Sequence, residues 1–309
     1  MIAPACGLFD RRAWLLHRER AARLPAVDFL HAEIAARLLD RLQDVGRSFS
    51  RALDLGAREG ALSRALLKRV GFVVAAEPAR GFLALCAGAK VAADPELLPF
   101  AEKSFDLVMS NLVLHWAEDL PGALIQIRRA LKPDGFFLGA MLGGRTLSEL
   151  RTALLEAELL EEEGASPRVS PTAELSDAAG LLARAGFAMP VADTETITAS
   201  YPDALALMRD LRGMGETNAL QARRKSPLRR ATLARTAALY RERFADASGR
   251  IPASFEILFL AGWAPDPSQR KPLRPGSARH RLADALGTKE IPAGDPARSR
   301  NRRRQEGAP

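Results

Sequence analysis

Short apolar runs alternate with amphipathic stretches between residues 51 and 142, which predicts strands and helices by turns. The apolar runs predict strands at about 51–55, 72–77, 90–93, 105–110 and 135–142, and a helix at 120–131 precedes the last of them. Nearly continuous apolar strands separated by helices are typical of a parallel sheet with helices on both faces. Because crossovers of this kind are right-handed, we expect a Rossmann-like, doubly wound α/β fold.

The flanking regions are mainly helical. Apolar residues spaced by three and four predict helices at 9–23 and 28–42, and further helices are predicted at 147–163 and 173–185. Strands at 194–201 and 254–260 bring the predicted sheet to seven strands, and about 50 mostly helical residues lie between them. The predicted organisation is a helical segment (1–47), a core (48–200), a helical lid insertion over the strand tips (201–250), a last core strand (251–264) and a C-terminal extension (265–309).

A glycine-bearing segment follows the first predicted strand. Asp54, Gly56 and Gly60 stand in the order Asp-x-Gly-x-x-x-Gly directly before a predicted helix. A strand, a glycine turn and a helix N-terminus together present backbone N–H groups to a ligand. Glu77 ends the second strand, 17 residues after Gly60, where an acidic residue typically binds ribose hydroxyls. The segment therefore predicts a nucleotide-binding site.

Composition narrows the class of protein. The chain has 309 residues, 47% of them hydrophobic and 27% charged, as in globular proteins with a sizeable core. Cys6 and Cys86 show no metal-ligand spacing and fit a reducing compartment. We find neither an 18-residue apolar run nor a signal-peptide core, and the acidic Asp10 and Glu19 argue against an Arg-rich presequence. The predicted location is cytoplasmic.

The net charge of +8 is concentrated in two places. Five arginines in the last dozen residues form what we expect to be a disordered basic tail, and without them the charge falls to +3. A second basic cluster lies at residues 223–230. It is either a solvated face or a docking site for an acidic partner, and the lack of interleaved aromatic residues disfavours specific nucleic-acid binding.

Several motifs together resemble the class I S-adenosyl-L-methionine (SAM)-dependent methyltransferases. The motifs are Leu53–Gly60, Glu77, Asp94 with Leu98-Pro99-Phe100, Ser104–Val108 and Leu131–Gly135. Within that superfamily, three further segments resemble the complex I (NADH dehydrogenase) assembly factor 5 family and its bacterial homologues, relatives of the biotin-synthesis malonyl-carrier-protein methyltransferases. These segments are Ser110–Pro121, Asp210–Asn218 and Phe255–Ile257.

The resemblance implies a role for each motif residue, with SAM as the cofactor. Asp54, Gly56 and Gly60 would hold the methionine end, and Glu77 would bind the ribose hydroxyls. At the other end, Asp94 would meet the adenine amino group, with Leu97 or Leu98 against the ring. Asn111 and His115 would line the methyl-transfer end and act in catalysis. The residues leave two alternatives open: Asp94 could cap the following turn, and His115 could be a packed, hydrogen-bonded side chain.

Arg58 departs from the superfamily pattern, which usually has glycine at this place. A side chain there would crowd the ligand, and a positive φ would be strained. A guanidinium close to a sulfonium would also be repelled. Either Arg58 points outward, or SAM binding is weak or lost.

Methyl transfer to a protein, a carrier-bound group or a small acidic molecule is our first functional hypothesis. A carboxylate acceptor needs no strong base, and the basic lid residues Arg209, Arg212, Arg223 and Arg224 suit an acidic acceptor. The loop after strand four lacks the Asn/Asp-Pro-Pro-aromatic pattern of base methylation, and neither cysteine stands in a motif for attack on cytosine C5.

The resemblance also supplies alternatives: hydroxylation of an arginine in a complex I subunit, or a non-catalytic SAM-binding assembly chaperone. Iron oxygenases use two histidines and a carboxylate, often as His-x-Asp/Glu. The pairs at 17–19 and 31–33 have this spacing, but two residues apart on a helix they diverge. We therefore predict no metal site.

Overall fold

The computed structural model describes residues 7–162, 164–171, 174–269 and 281–289. The expected basic tail and Cys6 lie outside these residues. Contacts divide the chain into two units, Met1–Pro267 and Ser268–Pro309. The second contains one described helix, α10 (Leu282–Leu286). No helix in the described ranges is both long and apolar enough to cross a membrane.

The first unit contains the seven-stranded sheet that the sequence predicts. Its strands are β1 (Arg51–Leu55), β2 (Phe72–Ala76), β3 (Ala89–Val91), β4 (Phe105–Asn111), β5 (Leu131–Leu142), β6 (Ala188–Tyr201) and β7 (Ile251–Trp263). Their order is β3-β2-β1-β4-β5-β7-β6. The first five strands are parallel, whereas β7 runs antiparallel to both β5 and β6. The Rossmann-like fold of the class I methyltransferases is confirmed, with a mixed rather than wholly parallel sheet.

Nine helices of the described residues in this unit flank the sheet. They are α1 (Arg11–Ala21), α2 (Phe29–Asp44), α3 (Ala61–Leu66), α4 (Arg80–Leu85), α5 (Leu120–Ala130), α6 (Ser148–Glu161), α7 (Leu175–Arg184), α8 (Ala204–Met214) and α9 (Arg230–Phe244). Helices α8 and α9 form the predicted helical insertion between β6 and β7. Three strands extend well beyond their predicted bounds: β5 begins at Leu131, β6 begins at Ala188, and β7 runs from Ile251 to Trp263. Strand β5 has a register shift against β4 where Asp134 adopts a left-handed φ of 59°.

Alternate residues of the central strands face two separate apolar clusters. Leu107 and Met109 pack with α2, α6 and α8 on one face, and Val108 packs with α1, α5 and α7 on the other. Burial on both faces explains why the strands read as nearly continuous apolar runs. The chain order reverses between β1 and β4, and ligands of such sheets bind in the crevice beyond the carboxyl ends of the strands at that point.

Candidate functional site

Residues predicted for cofactor binding lie together at the carboxyl edge of the sheet. Asp54 is near the end of β1, and Asn111 is the last residue of β4. Glu77 directly follows β2, and Asp94 lies three residues after β3. Because parallel strands end at the same edge, residues far apart in sequence meet there. Their roles toward a ligand remain predictions.

The turn after β1 has the backbone that its glycines suggest. Gly56 and Gly60 adopt φ values of +80° and +76°, in the left-handed region that glycine tolerates best. A Cβ at Gly56 would also lie 2.5 Å from the Val113 side chain. Between them Arg58 has φ 48°, so the predicted strain at this position is present.

At the β1 and β4 end of the edge, two buried oxygens lack partners. Asp54 Oδ2 accepts a 2.6 Å hydrogen bond from Ser63 Oγ, and Asn111 Nδ2 donates to the His31 carbonyl at 2.9 Å. Asp54 Oδ1 and Asn111 Oδ1 are buried without a hydrogen-bond partner in the described part of the chain. Burial raises the pKa of Asp54 to about 7, although its bonds with Ser63 oppose this. A cavity of only about 10 Å³ adjoins both side chains.

At the β2 end, the Glu77 carboxylate is fully engaged. It has 0% exposure and forms a two-pronged ion pair with Arg18, at 3.0 Å from Nε and 2.7 Å from Nη2. The backbone N–H groups of Arg58 and Ala79 donate to the same carboxylate, each at 3.0 Å. Burial alone would lower the pKa of Arg18, but the charge and hydrogen bonds of Glu77 raise it above the ordinary value.

Helix α1 also covers Asp94. Arg11, on the same face of α1 as Arg18, forms an ion pair with the Asp94 carboxylate. Asp94 Oδ1 additionally accepts a 3.0 Å hydrogen bond from the backbone N–H of Glu96, so the side chain does cap the turn after β3. Of the two leucines predicted near an adenine ring, Leu97 is 75% exposed, whereas Leu98 is half-buried against the apolar cluster around β1.

Arg58 points inward, so the first of the two alternatives for this residue, an outward side chain, does not hold. Its side chain is buried, with Nη1 2.9 Å from Nδ1 of His31 and the guanidinium 4.7 Å from the centre of the Phe82 ring. Burial lowers the pKa of Arg58. Burial and the neighbouring Arg58 charge lower the pKa of His31 well below its usual range, which leaves that imidazole neutral as an acceptor. Arg58 lines the small cavity at the glycine turn, together with Asp54 and Gly56.

A much larger cavity of about 590 Å³ opens beside this edge. Apolar side chains from α2, α6, α8 and β7 form most of its wall, including Leu30, Leu150, Leu154, Met208 and Phe255. Its polar wall includes His31, His115, Glu216 and the arginines at 20, 168 and 212. His31 also lines the small cavity at Asp54, so the two cavities adjoin.

His115 and Glu216 form a buried pair in the wall of the large cavity. Nε2 of His115 lies 3.2 Å from Oε2 of Glu216, and Trp116 Nε1 donates to the same carboxylate at 3.1 Å. Burial would raise the pKa of Glu216, but the charge and hydrogen bond of His115, with Arg18 and Trp116, hold it below its ordinary value. His115 Nδ1 is buried without a described partner. Both earlier interpretations of His115 therefore stay open, because it is packed and has an unpartnered nitrogen.

Three residues of the site were not predicted as part of it: Arg18, His31 and Glu216. Glu216 lies in the 210–218 segment that carries the family resemblance, which was a usable signal. Arg18 and His31 appear in the sequence as ordinary members of amphipathic helices. In the described ranges, no three His, Cys, Asp or Glu side chains are grouped so that they could hold a metal ion.

Comparisons with known proteins agree with this architecture. The family profile described as "Methyltransferase domain" matches residues 53–139. The structure of YcgJ from Bacillus subtilis, 16% identical, superposes with a TM-score of 0.50 over 71% of this chain and 94% of that one. A second structure, from Bacillus halodurans, has a TM-score of 0.51 over 75% of this chain and all of its own. The fold and the domain are those of the class I methyltransferases, and they support SAM as the cofactor.

Named proteins of similar sequence identify the family within this class. The chain is 42% identical to "Arginine-hydroxylase NDUFAF5, mitochondrial" of Danio rerio, over 90% of this chain and 89% of the relative. The human protein of that name is 43% identical, over 88% and 81%. "Malonyl-[acyl-carrier protein] O-methyltransferase" of Halorhodospira halophila is 38% identical, over 79% and 84%. This chain belongs to the NDUFAF5 family, which confirms the predicted resemblance.

Proposed function

We propose that this chain is a SAM-dependent methyltransferase whose acceptor binds in the 590 Å³ cavity. The observation that carries the proposal is that this cavity adjoins the cofactor edge at His31. Asn111 lines the small cavity on the cofactor side, and His115 lines the large cavity. Two adjoining ligand sites with polar groups at their junction suit the transfer of a group from one ligand to the other.

The residues at the sheet edge fit the cofactor chemically. Asp54 Oδ1 and Asn111 Oδ1, buried and without described partners, would accept hydrogen bonds from the ammonium of the methionine end. Glu77 would accept from the ribose hydroxyls and Asp94 from the adenine amino group, in place of the arginines that contact them now. Bound SAM supplies a methyl group activated on a sulfonium, and the chain orients the two ligands and excludes water.

His115 would act as the base for acceptors that must lose a proton. Its contact with Glu216 favours the tautomer that carries the proton on Nε2, which leaves Nδ1 able to accept one. A carboxylate that orients an imidazole in this way also stabilises the imidazolium that forms. A carboxylate acceptor has no proton to remove, so His115 would matter much less for it.

Two arginines of the cavity wall favour an acidic acceptor. Burial and, after it, the repulsive charge of Arg212 lower the pKa of Arg20. Arg20 Nε is buried without a described partner. An anionic group between them would relieve this repulsion. Three other arginines of the helical insertion (201–250) were predicted to suit an acidic acceptor. Arg223 pairs with Asp10, Arg224 pairs with Glu162, and Arg209 does not line the cavity.

Arginine hydroxylation is the second candidate, favoured by Glu216 and by the names of the relatives. A buried carboxylate held in its charged form on the cavity wall would pair with a guanidinium. Relatives at 42–43% identity are named arginine-hydroxylases. Under this candidate the partner would be an arginine-bearing protein, and a complex I subunit is the one that the family resemblance implies.

Mass spectrometry with a labelled cofactor separates the two candidates. The purified chain is incubated in air with SAM carrying a trideuterated methyl group and, in separate reactions, with malonyl-acyl carrier protein and an arginine-containing peptide. Ascorbate is added as the two-electron reductant, because hydroxylation places one oxygen atom of O2 on the peptide and reduces the other to water. Transfer of the labelled methyl to either acceptor supports the first candidate. A gain of one oxygen on the peptide without label supports the second and contradicts methyl transfer to that acceptor.

The same assay tests His115. We expect His115→Asn to lower the rate about 100-fold for the arginine peptide, whose guanidinium must lose a proton, and less than about tenfold for the malonyl carboxylate. Gln43→Asn is the control, because Gln43 lies exposed on α2, and its rate should equal that of the wild type. An unchanged rate in His115→Asn with a protonated acceptor would remove His115 from catalysis.

A further inference from the structure

Helix α1 presents two arginines to the two carboxylates predicted to bind the nucleoside part of SAM. Arg11 and Arg18 are seven residues apart, which is two helical turns, so they lie on one face of the helix. Arg18 holds Glu77 and Arg11 holds Asp94. Trp14 lies between them with 1% exposure, with the Arg11 guanidinium 4.1 Å from the centre of its ring.

The hydrogen bonds of Glu77 leave no room for a ribose. An ionised carboxylate accepts about four hydrogen bonds. Glu77 receives four, two from the Arg18 guanidinium and two from backbone N–H groups. The two backbone donors, Arg58 N–H in the turn after β1 and Ala79 N–H just after β2, belong to the sheet edge and stay in place. Only the departure of Arg18 frees acceptor positions for ribose hydroxyls.

We propose that α1 is an autoinhibitory lid over the nucleoside half of the cofactor site, displaced when SAM binds. Arg18 stands in for the ribose donors at Glu77, Arg11 for the adenine amino group at Asp94, and the Trp14 ring covers the apolar floor between them. Trp14 belongs to the same apolar cluster as Ala76 and Ala93, which directly precede those two carboxylates. The proposal rests on the cofactor of the class and not on the identity of the acceptor.

The attachment of α1 couples this lid to the acceptor cavity. His17 contacts the Thr217 carbonyl, and Arg20 Nη2 donates to Thr217 Oγ1 at 3.2 Å. Just before α1, the Asp10 N–H donates to the Ala219 carbonyl at 2.7 Å. Thr217 lines the large cavity next to Glu216. Because α1 is bonded to this wall, its displacement by SAM moves one side of the acceptor site.

Calorimetric titration of variants with SAM tests the lid. Arg18→Met keeps the length of the side chain but removes its donors, so Glu77 is left with two backbone bonds and free acceptor positions. We expect Arg18→Met to bind SAM at least tenfold more tightly than the wild type. Arg12→Met is the matched control, because Arg12 lies exposed on the same helix, and its affinity should equal that of the wild type. Equal or weaker binding by folded Arg18→Met overturns the proposal.

Hydrogen exchange of the unaltered protein tests the lid without any substitution. With millimolar SAM we expect amide exchange within residues 11–21 to become faster, while exchange in β1 and β4 becomes slower. Unchanged or slower exchange in α1 under saturating SAM would overturn the proposal. Tight SAM binding by Arg18→Met without methyl transfer to any acceptor would count against the proposed function and leave the lid intact.

Discussion

The two ends of the cofactor edge differ in how their polar groups are satisfied. At the methionine end, Asp54 and Asn111 each keep a buried oxygen without a partner among the described residues. At the nucleoside end, Glu77 has four donors, and Asp94 has both Arg11 and the Glu96 N–H. Buried polar groups are normally hydrogen-bonded, so the first end has unmet bonding capacity, whereas at the second end the buried Glu77 has its full set of donors and Asp94 is paired with Arg11.

This difference shows which half of the site is prepared for a ligand. The methionine end has its acceptors in place and lacks only a donor. The nucleoside end has its acceptors occupied by a helix that enters from elsewhere in the chain. A cofactor therefore finds free acceptors in the first half, where the Arg58 side chain lines the small cavity, but it must compete with Arg18 and Arg11 for the acceptors of the second half. The following variants test this asymmetry.

The largest effect is expected from Glu77→Ala, which leaves the Arg18 guanidinium buried without its counter-charge. Removing one partner of a buried ion pair typically costs about 3–5 kcal/mol. We expect a loss of that size in the free energy of unfolding, measured by urea denaturation. Adding Arg18→Met to Glu77→Ala should restore most of it. A loss below about 1 kcal/mol would show that this end is not held by the pair.

The methionine end should instead affect how the free energy of unfolding depends on pH. The pKa of Asp54 is raised from 3.8 to about 7 in the folded protein. Between those values the folded state keeps a proton that the unfolded state has lost, so stability falls as pH rises, by about 1.4 kcal/mol per unit. Asp54→Asn removes this dependence. We expect its advantage over the wild type to grow from near zero at pH 4 to about 3 kcal/mol at pH 7.

A parallel pH response of variant and wild type would contradict this account. Ser63→Ala serves as a control, because it removes the bond to Asp54 Oδ2 but leaves the carboxyl in place. Asp54→Asn should also weaken SAM binding, since an amide does not attract the cofactor ammonium as a carboxylate does.

Much of the fold and part of the site could be predicted from the sequence. Short apolar runs predicted the strands, spacings of three and four predicted the helices, and the positions of strand ends predicted that Asp54 and Glu77 lie at one edge, to which the family resemblance added Asp94. Both signals are local, or depend only on the fact that parallel strands share an edge. They do not depend on which helix packs over that edge.

What covers the edge could not be predicted, because it depends on tertiary contacts between distant segments. Arg18 reaches Glu77 across 59 residues, and Arg58 reaches His31 across 27. In the sequence each is one arginine among many on an amphipathic helix or in a turn. The direction of Arg58 stayed open for the same reason: its contacts with His31 and Phe82 join distant segments, and no local pattern reveals them.

A smaller effect is expected from Arg58→Gly, between the two ends. Glycine relieves the left-handed strain of about 1 kcal/mol, while the contacts with His31 and Phe82 are lost, so stability should change little. SAM affinity, measured by calorimetry, should rise about tenfold because the Arg58 side chain no longer lines the small cavity at Asp54 and Asn111. Lys103→Gly is the control: with φ 57° and an exposed side chain, it should gain stability without any change in affinity. Equal affinities would show that Arg58 does not obstruct the cofactor.

The smallest effect is expected from Asp94→Asn, at the same end as Glu77 but nearer to solvent. Arg11 and Asp94 keep about a third of their side chains exposed, and pairs of this kind contribute about 0.2–1 kcal/mol. We expect a loss in that range in the free energy of unfolding, which 0.5 M salt should largely abolish because salt screens exposed charges. The loss in Glu77→Ala should persist at the same salt concentration, since its pair is sealed from solvent. If both losses vanished in salt, or neither did, the two ion pairs would be equally exposed to solvent. That outcome would contradict the view that α1 is held firmly by the buried Arg18 pair and loosely by the half-exposed Arg11 pair.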